Sequence, residues 1–145
     1  MHVRVPWIRP PMPRLPRALA LVAAVILVLS SGAHSLMGWP ALRTQLSATN
    51  APAALVDGLA MGWHFAGLTM LVLGVLVLWL LAISRSGAPS IRLPLLVIGG
   101  AYVLFAIGCA LLLGWDPFLF TFLVPGVLLA VAGLLLAPRG TASPR

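Results

Sequence analysis

Residues 58–83, GLAMGWHFAGLTMLVLGVLVLWLLAI, contain no Asp, Glu, Lys or Arg. As a helix rising ~1.5 Å per residue, this stretch is about 39 Å long and exceeds the ~30 Å hydrocarbon core of a bilayer. It opens after Asp57, a residue type that favours the N-cap, and ends in the polar turn Ser84-Arg85-Ser86-Gly87-Ala88-Pro89. Near its start, Gly62-Trp63-His64-Phe65 sets an ionisable imidazole beside an amphipathic indole ring. The rest of the chain reads as packing around that end.

Composition supports the same class. Hydrophobic residues make up 61% of the 145 positions and charged residues 8%, with neither lysine nor glutamate; the mean hydropathy is +1.11. These values lie far outside soluble composition and predict an integral membrane protein. The Ala, Leu, Val, Gly, Pro and Arg bias is that of a GC-rich bacterial genome. A net charge of +7 would suggest nucleic acid as a partner for a soluble domain, but these arginines sit at span ends, where topology requires them. Nucleic acid is therefore not expected. Cys109 is the only cysteine, which excludes an internal disulfide, a CxxC redox pair and a thiolate metal cluster within one chain.

Three further spans flank the first. Residues 17–37 form an apolar run of sufficient length. Its rival reading is a signal peptide with a small-x-small cleavage site after Ala33, in which case residues 1–33 are removed and His34 becomes the amino terminus. The uncleaved helix is preferred because apolar character resumes at Leu36 and Met37. Residues 92–114 carry Pro94 in a tolerated first turn, and residues 117–137 follow Asp116 as N-cap and Pro117 at the first helical position. The link Gly114-Trp115-Asp116-Pro117 is short enough to force a helical hairpin. Residues 38–57 read as the one substantial loop, with Trp39, Pro40, Arg43 and Asn50-Ala51-Pro52 as turn and interface signals and room for a short surface helix over 41–46.

Residues 1–16 carry five prolines among Arg4, Arg9 and Arg14, and are expected to be a disordered basic cytoplasmic arm; Met12 is an alternative start. Residues 138–145 form a cytoplasmic tail. Arg4, Arg9, Arg14, Arg17, Arg85, Arg92, Arg139 and Arg145 share one side, and only Arg43 lies opposite. The positive-inside rule then places both termini in the cytoplasm of a bacterial inner membrane. The fold class is all-α: an integral membrane antiparallel four-helix bundle. Gly58, Gly62 and Ala66, and likewise Gly126, Ala130 and Gly133, give small-residue faces for close helix contact or self-association. Pro125 predicts a kink.

The candidate site follows from depth. Along the helix His34 lies ~25 Å beyond Arg17, His64 ~31 Å before Arg85, and Asp116 ~36 Å beyond Arg92. All three therefore fall near the outer face. Ala23, Leu27, Ser30 and Ser31 share the side of His34, and Ala60, Gly67, Leu71 and Gly74 that of His64. An ionisable residue in a span is a functional hypothesis by default. Two histidines on facing helices can clamp haem b or hold a transition metal, with Asp116 as a further ligand or orienting group. The plainer reading makes them interfacial residues that bond backbone carbonyls beside Trp39, Trp63 and Trp115. A proton relay is a third use of imidazole.

Other chemistry lacks its residues. A proton-coupled exporter needs a deep carboxylate, whereas Asp57 and Asp116 are shallow. No motif pairs Ser30 or Ser31 with a base, and there is no phosphate loop or zinc-protease signature. No internal repeat supports an inverted-repeat transporter.

Gly32, His34 and Ser35 closing the first span, with Trp63-His64 opening the second, resemble the Gly-x-His-Ser and Trp-His pattern of a family of small bacterial four-helix inner-membrane proteins. Gly38 is followed here by Trp39, where an acidic residue belongs to that pattern. The resemblance implies the four-helix fold and the inner-membrane location, and no activity. The expected role is an accessory or structural membrane component, not an enzyme by itself, partnered by the lipid bilayer and by a second copy or another membrane protein. A haem or metal protein using His34 and His64 is the alternative, and a small channel or transporter the third.

Overall fold

The computed structural model describes residues 12–84 and 91–136. Most of the expected basic arm (residues 1–11), the central turn over 85–90 and the whole tail lie outside the described residues. Among the described residues the chain is helical and has no strand. Four helical stretches are long and apolar enough to cross a membrane: Arg14–Ala48, Ala53–Ile83, Arg92–Leu113 and Pro117–Leu135.

The first stretch comprises α1 (Arg14–Ala33), a π-helical turn (His34–Gly38) and α2 (Trp39–Ala48). Helix thus continues well into the region expected to be loop. Pro40 was the main signal against it, since proline has no N–H and its ring crowds the carbonyl four residues earlier. The wide turn just ahead of Pro40 relieves that conflict: the Trp39 N–H bonds to the His34 carbonyl five residues back. The actual link is residues 49–52, where Asn50 takes a positive φ of 53° and the Ala51 N–H returns to the Leu46 carbonyl.

Helix α3 (Ala53–Ile83) starts directly after Pro52, so Asp57 lies inside the helix and does not cap it. The run from Ala53 to Val56 is apolar and helix-compatible, and nothing in it stops the helix from starting a turn early. Helix α4 covers Arg92–Leu113. Gly114, at φ 90°, turns the chain, and Asp116 caps the 3-10 turn Pro117–Leu119 by accepting the Phe118 N–H at 2.7 Å. Helix α5 (Phe120–Leu135) carries Pro125 buried in its interior.

Helix α1 packs against α3 on one side and α5 on the other, and α5 packs against α4; α3 and α4 are the outer members. One core cluster takes in Ala20, Ala23, Ala24 and Leu27 of α1 together with Val77, Leu81, Leu95, Ile98, Leu129 and Ala132 of the other three spans. Glycine sets the closest approaches. A Cβ on Gly99 would stand 2.5 Å from the Ala130 nitrogen and 2.7 Å from the Gly126 carbonyl oxygen. Gly67 lies against Ser31, His34 and Ser35, and Gly74 against Ala24, Leu27 and Val28.

Of the expected Gly58, Gly62 and Ala66 face, the two glycines make no close contact among the described residues. Gly58 and Gly62 are exposed, and a Cβ on either would meet nothing within 4 Å. The helix turns Gly67 and Gly74 toward α1 instead, and that rotation carries the i, i+4 pair at 58 and 62 to the opposite side.

Candidate functional site

The π-turn places His34 beside Gly67 of α3, and the two helices are tied there by reciprocal contacts. His34 Nε2 lies 3.1 Å from the Trp63 carbonyl oxygen. The Trp63 indole Nε1–H donates to the His34 carbonyl oxygen at 2.7 Å. The two rings stack with centroids 4.3 Å apart and planes 3° from parallel. Each side chain thus bonds the other residue's backbone while their faces pack, so α1 and α3 are clasped at one level by two hydrogen bonds and a stack.

The clasp fixes the imidazole's protons. A carbonyl can only accept, so Nε2 carries the hydrogen in this bond. Nδ1 is buried and has no hydrogen-bond partner among the described residues. The His34 carbonyl accepts twice, from the Trp63 indole and from the Trp39 N–H of the π-turn. Local helix geometry and the helix–helix clasp therefore share one oxygen.

Aromatic rings extend the cluster. Trp39 meets Trp63 at 6.5 Å and the edge of His64 at 5.8 Å. Gly38 makes room for the Trp63 ring, since a Cβ there would stand 2.9 Å from its Cζ2. Phe118, in the turn before α5, approaches the other part of the His34 surroundings at 6.4 Å. This contact puts the α4–α5 turn level with the clasp. From there α1–α2 runs on to Ala48, about 21 Å farther by residue rise, and α3 returns from Ala53 over about 15 Å.

The three candidate ligands are placed differently from one another. His34 is half-buried in the clasp, with its Nε2 committed to the Trp63 carbonyl. His64 is exposed at the rim and lies against Trp39, while Asp116 is exposed and spends Oδ1 on the Phe118 N–H. Among the described residues, no three His, Cys, Asp or Glu side chains are grouped to hold a metal ion. A bis-histidine haem clamp would need His34 to leave the Trp63 carbonyl and unstack; the one nitrogen of that ring without a proton in this arrangement is Nδ1.

Sequence reasoning put Trp39 and Trp63 in an interfacial belt and missed the specific bond from Trp63 to His34. The available signal was that Trp63 sits one helical turn from Gly67, and His34 one turn from Ser31, both small residues suited to a helix crossing. Phe118 was not singled out; its place follows from the shortness of the 114–117 link. Searches against family models, curated proteins and solved structures return no match to this chain.

Proposed function

We propose that this chain is a multi-pass protein of the bacterial inner membrane. Its four spans form an antiparallel bundle with both termini cytoplasmic, and it serves as an accessory or structural membrane component. The observation that carries the reading is the His34–Trp63 clasp, which spends the one half-buried histidine among the described residues on joining helices. The membrane assignment draws on the outer surface. Leu68, Val72, Val75 and Trp79 of α3 and Leu104, Leu111, Leu112 and Leu113 of α4 are exposed, and such apolar faces are accommodated by lipid and not by water. The antiparallel sense draws on register: Gly67 faces residues late in α1 and Gly74 faces earlier ones.

Membership of the small four-helix family with the Gly-x-His-Ser and Trp-His pattern is part of this proposal. Its partners are the bilayer and either a second copy or another membrane protein. The second reading, a haem or metal protein using His34 and His64 with Asp116, is favoured by one specific observation, the bare and buried Nδ1 of His34. A reduced-minus-oxidised spectrum with metal analysis on protein purified from membranes separates the two. A featureless spectrum and no stoichiometric metal in folded protein support the structural reading; a haem band or bound metal lost in His64→Ala overturns it.

A further inference from the structure

A groove of about 230 Å³ opens between α1 and α3 at the end far from the clasp, lined by Arg17, Leu21, Leu78, Leu81 and Ala82. Its lining is ordered along the helix axes. Arg17 lies one turn nearer the helix end than Leu21, and Leu81 and Ala82 lie one turn nearer it than Leu78. A cation therefore stands at the mouth, and the walls become wholly aliphatic toward the middle of the helices.

Among the described residues, the chain offers that cation no acidic side chain. Its only acidic residues are Asp57 and Asp116, both at the opposite end: Asp57 lies near the start of α3 and Asp116 bonds Phe118 beside the clasp. Arg17 is half-buried, and a guanidinium withdrawn partly from water favours an anionic partner.

We propose that this groove binds an anionic phospholipid, with its phosphodiester on the Arg17 guanidinium and the start of one acyl chain along Leu21 and Leu78. The lipid's own polarity, anionic head outward and hydrocarbon inward, matches that of the groove, and a guanidinium suits a phosphodiester because its planar fork can donate two parallel hydrogen bonds. This assignment rests on the membrane reading above.

The test uses the full chain, stripped of lipid in detergent and titrated with phosphatidylglycerol, with bound lipid counted by native mass spectrometry. Arg17→Gln weakens phosphatidylglycerol binding about fivefold, whereas Arg14→Gln, exposed and outside the groove, changes it less than twofold. Leu21→Trp, which fills the groove and keeps the charge, weakens binding as Arg17→Gln does and serves if that variant fails to fold. Equal losses for Arg14→Gln and Arg17→Gln would reduce the effect to diffuse surface charge, and unchanged binding in Arg17→Gln or Leu21→Trp would refute the site. Displacement of the lipid by millimolar inorganic phosphate would make it an ion site and overturn the lipid assignment. A chain that stays monodisperse without detergent would instead overturn the membrane reading, so the two failures are distinguishable.

Discussion

The clasp makes an unusual prediction because both of its hydrogen bonds end on backbone oxygens. Replacing His34 by Leu removes the imidazole donor but leaves the residue-34 carbonyl for the Trp63 indole. Replacing Trp63 by Leu removes the indole donor but leaves the residue-63 carbonyl for His34. The only term the two side chains share is the stack at 4.3 Å. Each single variant is expected to lose about 1 kcal/mol for its hydrogen bond and about 1 kcal/mol for the stack. The double variant loses both bonds but the stack only once, about 3 kcal/mol in total, so the cycle closes with a coupling of about 1 kcal/mol. Reversible unfolding in mixed micelles, followed by far-ultraviolet circular dichroism, measures all four species. Additive losses, with coupling below about 0.3 kcal/mol, would show that the rings do not stack in the folded protein. Neutral single variants would dispose of the clasp altogether.

Other predictions follow from the helix crossings and caps. Gly99→Ala drives a methyl against the Ala130 nitrogen and the Gly126 carbonyl; because backbone cannot swing aside, it should destabilise by about 1–3 kcal/mol in the same unfolding assay. Gly62→Ala meets nothing within 4 Å and should instead stabilise by up to about 1 kcal/mol; a large loss there would reveal a contact outside the single chain. Asp116→Ala removes the acceptor for the Phe118 N–H and should cost about 1 kcal/mol, with faster hydrogen exchange at residues 117–119. Reporter fusions at both termini should be active only as cytoplasmic reporters; a periplasmic carboxyl terminus would overturn the orientation.

The presence of four helices long and apolar enough to cross a membrane was legible because length and hydropathy are properties of whole segments. What was not legible depended on local compensation. Pro40 and Asn50-Ala51-Pro52 look alike as turn signals, yet only the second ends a helix, because the π-turn at His34–Gly38 absorbs the proline. Asp57 has the right chemistry for a cap, but Pro52 begins the helix first. The glycines divide in the same way. Gly67 and Gly74 are pressed against α1, while Gly58 and Gly62 of the same helix face outward, and a small-xxx-small spacing does not say which face is used. At the site, the structure stacks His34 on Trp63, the chain neighbour of His64. Depth alone does not reveal that the neighbour of His64, rather than His64 itself, takes hold of His34.

The most direct test of the clasp is the ¹⁵N spectrum of the His34 imidazole in the folded, detergent-solubilised protein, assigned by comparison with His34→Leu. The account predicts a neutral ring protonated at Nε2, with a through-hydrogen-bond correlation to the Trp63 carbonyl carbon, a bare Nδ1, and a slowly exchanging Trp63 indole proton. A ring protonated at Nδ1 alone, or one whose Nε2 is bound to a metal, would contradict it and return His34 to the role of ligand.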